Sequence, residues 1–157
     1  MVRLPGRTPP PTDPVGVVLA STGVEFTEEA IRAAADASRE AGNAAVAVVS
    51  IARMHGYALG MPNPGLLPTR KEKAAQEDIV SAAIRRLQGW GVAADGQVVI
   101  TRNPAKSVAA VAVRRHAGQV VIQLHGAGRL RRLLEGDPVG SLRRRLRGRC
   151  EIQSWPG

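Results

Sequence analysis

The stretch Gln119-Val120-Val121-Ile122-Gln123-Leu124-His125-Gly126-Ala127-Gly128 decides the fold class, because an apolar strand passes here directly into a glycine-rich turn. An arginine-rich segment follows and leads to Gly136-Asp137, ten residues after Gly126. Glycines let the backbone approach an anion closely, and the N–H groups at the start of a helix can hold it. The stretch is therefore typical of a strand–turn–helix unit with a phosphate site.

Strands and helices alternate along the rest of the chain. The continuous apolar run Val15–Ser21 indicates a strand that is buried on both faces. The same patterns predict strands at Ala44–Ile51, Gln97–Thr101, Gln119–Leu124 and Cys150–Trp155, and helices from Thr27 to Gly42, over Lys71–Trp90, from Asn103 to Ala117 and over Val139–Arg147. Because such β-α-β crossovers are right-handed, the sequence predicts an α/β fold with a five-stranded parallel doubly wound sheet in α/β/α layers.

The chain of 157 residues is long enough for one domain with its own core. Residues 1–14 contain five prolines and predict a disordered tail, which leaves residues 15–157 as a single domain. Arg53–Thr69 lacks periodicity and predicts a long loop. No apolar run approaches the ~20 residues that span a bilayer, and the N-terminus lacks an apolar signal core. We therefore expect a cytoplasmic protein with no membrane partner.

The net charge of +9 is concentrated near the C-terminus. Residues 129–149 hold eight arginines against Glu135 and Asp137, a local charge of +6. We call this segment the Arg129–Arg149 patch; its arginines are Arg129, Arg131, Arg132, Arg143, Arg144, Arg145, Arg147 and Arg149. Such a patch attracts phosphates, nucleic acid or acidic proteins, although a solvated helix face has the same composition.

The order of these parts resembles the universal stress proteins, a small α/β family whose members often bind ATP. Family members end the first strand in Asp-Gly-Ser and carry Gly-x2-Gly-x9-Gly-Ser/Thr after the fourth strand. In this chain Thr22-Gly23-Val24 takes the first position, while Gln123, Gly126 and Gly136 fall on the three motif glycines. The family's Leu-Arg-Arg-Leu-Leu run is kept at residues 130–134, and Asp137 replaces the final Ser/Thr. The resemblance covers residues 15–155.

Three departures from that pattern bear on the ATP binding that the resemblance implies. Thr22 lacks the two-oxygen carboxylate that family members place at the adenosine end of the ligand. Gln123 adds a side chain where bare backbone would let phosphate or ribose come close. Asp137 adds a negative charge at a helix start that would otherwise favour an anion. We therefore expect ATP binding to be weak or lost.

A shifted register keeps a phosphate site open as an alternative. It uses Gly128 and Gly140-Ser141, separated by eleven residues instead of nine, with Arg129 nearby. The candidate nucleotide-binding residues over both registers are Thr22, Gly23, Gln123, Gly126, Gly128, Arg129, Gly136, Gly140 and Ser141.

Three functions stay open on this basis. The first is a stress-related or regulatory module that acts by association, as a homodimer through the last strand, which the resemblance implies for Glu151–Trp155. The second is an ATP- or AMP-binding sensor that uses the Gly126–Ser141 loop. The third is a binder of acidic partners or nucleic acid through the Arg129–Arg149 patch. We expect no enzyme, since the sequence offers no serine or cysteine with an evident base and no Walker motif.

Overall fold

The computed structural model describes residues 11–53, 69–124 and 138–156, in which five strands form one parallel sheet. The elements in chain order are β1 (Val17–Ser21), α1 (Glu28–Glu40), β2 (Val46–Arg53), α2 (Arg70–Gly89), β3 (Ala94–Thr101), α3 (Pro104–Arg114), β4 (Gln119–Leu124), α4 (Pro138–Leu146) and β5 (Glu151–Pro156). The strand order across the sheet is β3-β2-β1-β4-β5. The prediction of a five-stranded parallel doubly wound sheet is confirmed.

Each face of the sheet carries its own apolar core. Val17 and Leu19 of β1 point to a core that includes residues of α1 and α2. Val18 and Ala20 point to the opposite core, which includes residues of α3 and α4. Alternate side chains of β1 are therefore buried on both sides, which explains why the strand reads as one unbroken apolar run.

The helix starts follow the capping residues that the sequence offers. The Thr27 hydroxyl accepts from the N–H of Ala30 at the start of α1. Asn103 does the same for α3 by accepting from the N–H of Lys106. At α2, Thr69 and Glu72 form a reciprocal capping box that the sequence analysis did not identify.

Helix α3 is shorter than predicted, and the buried face of α2 includes a polar residue. Helix α3 ends at Arg114 instead of Ala117, because His116 adopts a left-handed φ of 52° that a helix cannot continue through. In α2, Ala75 is exposed, and Gln76 lies in register with the buried Val80 and Leu87. Of the predicted Arg53–Thr69 loop, Arg53 closes β2, and residues 54–68 lie outside the described ranges.

A buried arginine fastens the amino end of the sheet. Arg115 is only 2 % exposed and donates two hydrogen bonds, of 2.5 and 2.6 Å, to the carboxylate of Asp95 at the start of β3. Its Nε donates to the carbonyl of Asp13 at 2.6 Å, and its own carbonyl accepts from Val15 N–H. We call Arg115 and Asp95 the amino-end pair. The pair holds the chain from residue 13 onward, whereas residues 1–10 of the predicted tail lie outside the description.

Candidate functional site

The strand order places a crevice at the carboxyl ends of β1 and β4. From β1 the chain winds outward through β2 and β3, and then returns to the other side of β1 to add β4 and β5. In doubly wound sheets, ligands bind where the winding reverses in this way. The register sets Ser21 of β1 beside Gln123 of β4 and Ser50 of β2, and sets Gln123 beside Trp155 of β5.

The β1–α1 loop, residues 22–27, covers this crevice. Gly23, the second residue of the loop, has a φ of 84°, a left-handed conformation that favours glycine. A Cβ at this position would also lie 3.1 Å from the carbonyl oxygen of Ile51, so the loop passes close to β2. The Ser21 hydroxyl donates to the carbonyl of Val24 at 2.7 Å and fixes the turn from inside.

Gln123 ties the β1–α1 loop to β4. Its side chain is 1 % exposed, and its Nε2 donates to the carbonyl of Glu25 at 2.6 Å. Its Oε1 accepts from the N–H of Thr27, the residue that caps α1, at 2.7 Å. The amide therefore occupies the crevice and satisfies two backbone groups of the loop, one acceptor and one donor.

A second glutamine ties the same loop to β2 and α2. Nε2 of Gln76 donates to the carbonyl of Gly23 at 3.1 Å, and its Oε1 accepts from the buried Ser50 hydroxyl. We call Ser21, Ser50, Gln76 and Gln123 the crevice cluster. It consists of neutral side chains that bond one another or the backbone of the loop, an arrangement that favours a closed crevice over a charged binding pocket.

The structure brings together only part of the predicted nucleotide site. Thr22 and Gly23 lie in the loop that Gln123 holds, so these three residues share the crevice. Gly126, Gly128, Arg129 and Gly136 lie outside the described residues, as do His125 and Asp137.

The two remaining candidates belong to α4 on the opposite face of the sheet. Gly140 is half-buried in the first turn of this helix. Ser141 follows it and lines a surface groove between α3 and α4 together with Lys106. The side chain of Ser141 therefore takes part in a different surface from that of Gln123, and a phosphate site that joins the two stays a prediction.

Sequence reasoning missed Gln76, Ser50 and the amino-end pair. Gln76 had a usable signal, because its spacing to Val80, Ala83 and Leu87 is that of one helix face. A polar residue at the end of such a stripe points to a polar neighbour within the fold. Ser50 lies within an apolar strand and gave no such signal.

Cys150 lies just before β5, and its thiol donates to the carbonyl of Ala117 at 2.8 Å. Burial raises the pKa of this thiol above its ordinary value, and the neighbouring Arg149 lowers it only in part. In the part of the chain that the structure describes, no three His, Cys, Asp or Glu side chains are grouped so that they could hold a metal ion. Nor is any helix in that part long and apolar enough to cross a membrane.

Four solved structures that match this architecture are universal stress proteins. A universal stress protein family member from Burkholderia pseudomallei matches with a TM-score of 0.62 and 18% identity, over 91% of this chain and 97% of that chain. The fold is that of the universal stress proteins. No protein-family model and no curated protein matches the sequence.

Two further universal stress protein structures carry a nucleotide. One, from Archaeoglobus fulgidus, is in complex with dAMP and matches with a TM-score of 0.58 and 15% identity, over 89% of this chain and 96% of that chain. The other is in complex with cAMP and matches with a TM-score of 0.61 and 17% identity, over 92% of this chain and 98% of that chain. The universal stress protein fold thus extends over nearly the whole of each chain.

Proposed function

We propose that this chain is a non-enzymatic module of the universal stress protein type, which acts by association with other macromolecules and binds nucleotide weakly or not at all. The observation that carries the proposal is the buried Gln123 amide, which bonds both Glu25 and Thr27 in the loop over the crevice. A stress-related or regulatory role and a cytoplasmic location belong to the same proposal.

A nucleotide in the crevice would have to displace hydrogen bonds that already hold the β1–α1 loop. To reach the carboxyl ends of β1 and β4, it would have to move the Gln123 side chain or the β1–α1 loop. Each buried hydrogen-bonding group left unpaired costs about 1–3 kcal/mol. The ligand would have to replace both bonds of this amide, as well as the Gln76 bond to the Gly23 carbonyl.

An adenine-nucleotide sensor is the second candidate, since two structures with this fold are complexes with dAMP and cAMP. In this chain the sensor would use the segment from Gly126 to Ser141, including Gly128, Arg129, Gly136 and Gly140. It requires that the β1–α1 loop open, or that the ligand bind beside the loop without entering the crevice.

Calorimetry separates the two candidates. ATP, dAMP and cAMP are titrated with magnesium into the full chain at low and at high salt. We expect no saturable binding up to millimolar nucleotide, or weak binding that disappears at high salt. Salt-insensitive binding at micromolar concentrations would sink the proposal and favour the sensor.

Gln123→Gly is the informative variant, because it restores the glycine that the family motif has at this position. If the amide blocks the crevice, the variant gains nucleotide binding that the native chain lacks. The control is Gln88→Ala, which replaces an exposed glutamine of α2. Alanine is used there because glycine would destabilise the helix.

The proposal includes a homodimer through β5. This strand ends the sheet, and only β4 pairs with it among the described residues, so its outer side is available to a second copy. Sedimentation equilibrium over a concentration series tests this part. A monomer at all concentrations would remove the dimer without affecting the nucleotide result.

A further inference from the structure

An open groove with a volume of about 700 Å³ runs between α3 and α4. Its floor on α3 is apolar and consists of Ala109, Ala110 and Val113. Val113 is 46% exposed, and it and Ile100 are the most exposed large apolar residues in the described part of the chain. The groove therefore leaves an apolar strip in solvent on an otherwise charged face.

Four cations surround this floor: Lys106 from α3, Arg144 and Arg145 from α4, and Arg147 just beyond its end. None of the described residues that line the groove is acidic. Among the described residues, none of the four forms an ion pair. We call this feature the basic groove.

Three arginines on the other face of the sheet have acidic partners. Arg32 and Arg86 both contact Glu28, at 3.1 and 2.8 Å, and both stack on Trp90. Arg39 pairs with Asp36 at 3.0 Å. These three cations are thus paired within the fold, whereas no described acidic residue pairs with the cations of the basic groove.

The shape of α4 fixes this arrangement. Leu142 and Leu146 are completely buried against the sheet, so the residues between them must point outward. Along α3, Lys106 and Val113 are seven residues apart, which gives the groove a length of about 10 Å, or two helical turns.

We propose that the basic groove docks an acidic amphipathic helix of a partner protein. Apolar side chains spaced one turn apart would cover Ala110 and Val113, and carboxylates on both sides would meet Lys106, Arg144 and Arg145. Nucleic acid fits less well, because phosphates gain nothing from an apolar floor and the described lining residues offer no aromatic ring for base stacking. This inference rests on the proposed function, since it names the surface through which the module associates.

Two labelled peptides of about four helical turns test the proposal by fluorescence anisotropy. The first carries Leu along one stripe and Glu on both sides of it. The second has the same charges but Gln in place of each Leu, which keeps helix propensity high and removes the apolar stripe. We expect the Leu peptide to bind saturably and at least several-fold more tightly than the Gln peptide.

The protein variants localise the binding. Arg144→Glu with Arg145→Glu removes two charge pairs and adds repulsion, and should weaken the Leu peptide about tenfold or more. Val113→Ser changes no charge and should weaken it about threefold by removing apolar contact. Lys71→Glu with Arg85→Glu makes the same change in net charge on exposed positions of α2, and should leave binding unchanged.

Three results would overturn the basic groove as a helix-docking site. The first is equal binding of the two peptides, and the second is equal weakening by the α2 variant. The third is tighter binding of a single-stranded oligonucleotide that depends on Arg144 and Arg145. Thermal melting of each variant checks that it is folded, and all substituted positions are exposed.

The nucleotide calorimetry is carried out on the same preparations. Micromolar nucleotide binding together with selective peptide binding would refute the proposed loss of nucleotide while leaving the groove supported. If neither the peptide nor the nucleotide binds, the basic groove is refuted as a helix-docking site, while the proposed loss of nucleotide binding is supported.

Discussion

The two ends of the parallel sheet are fastened by different chemistry. At the amino end, the guanidinium of Arg115 joins the carboxylate of Asp95 and the carbonyl of Asp13. At the carboxyl end, the crevice cluster holds the β1–α1 loop with neutral amides and hydroxyls. Opening the amino end leaves a buried charge without its partner, whereas opening the carboxyl end exposes only neutral groups. The carboxyl end can therefore open at the lower free-energy cost.

Replacing the buried guanidinium should have the largest effect. We expect Arg115→Ala to lower the free energy of unfolding by about 3 kcal/mol, the low end for a broken buried pair, because Asp95 keeps partial access to water. Arg115→Lys keeps the charge but loses the two-pronged contact, so its loss should be smaller. Urea denaturation measures both. A loss for Arg115→Ala below that of Gln123→Ala would reverse the order of the two ends.

The crevice amide should come second. Gln123→Ala leaves the Glu25 carbonyl and the Thr27 N–H without their partner and should lower the free energy of unfolding by about 2 kcal/mol. Gln88→Ala, at an exposed position of α2, should stay within about 0.5 kcal/mol of the native chain. Similar losses for the two glutamines in urea denaturation would mean that the Gln123 bonds do not stabilise the fold.

Gln76 should have a smaller effect on stability, because it is only partly buried and alanine is the better helix former. We expect Gln76→Ala to lower the free energy of unfolding by about 1 kcal/mol. Its clearer signature is local, because the Gly23 carbonyl loses its partner. Hydrogen exchange should become faster at the amides of residues 22–27 and stay unchanged at the amino-end pair. Uniform acceleration along the chain would contradict a local role.

The smallest effect concerns Cys150 at the amino end. Burial raises the pKa of this thiol, so the proton is lost at higher pH in the folded chain than in a free cysteine peptide. Less thiolate is then present at neutral pH, and alkylation by iodoacetamide should be slower than in the peptide. The rate should rise at a higher pH than it does for the peptide, and urea should abolish the difference. A rate that rises at a lower pH would mean that Arg149 outweighs burial.

The layered fold was predictable because its signals are local and repeated. The unbroken apolar run of β1, the cap at Thr27 and the Asn103-Pro104 start of α3 each follow from a few neighbouring residues. The predicted length of α3 was too great, because the helix ends at the left-handed backbone conformation of His116 and not at a glycine or proline.

The contacts at both ends of the sheet were less predictable, because their partners are distant in sequence. Gln123 was singled out by its place in the family motif, which implied an obstruction but not the bonds to Glu25 and Thr27. Arg115 is twenty residues from Asp95 and was read as part of an ordinary helix. A charged residue is rarely buried without a partner, and sequence alone did not supply that partner.

The register between Gln123 and Trp155 has an optical consequence. Trp155 packs partly against the core on the α1 side of the sheet, as does Phe26 of the β1–α1 loop. The chain has one other tryptophan, Trp90, whose ring contacts both Arg32 and Arg86 just after the end of α2. In a Trp90→Phe variant the tryptophan emission therefore arises from Trp155 alone. The wavelength of maximum emission then reports whether water has reached the carboxyl end of the sheet, and no label has to be attached to the protein.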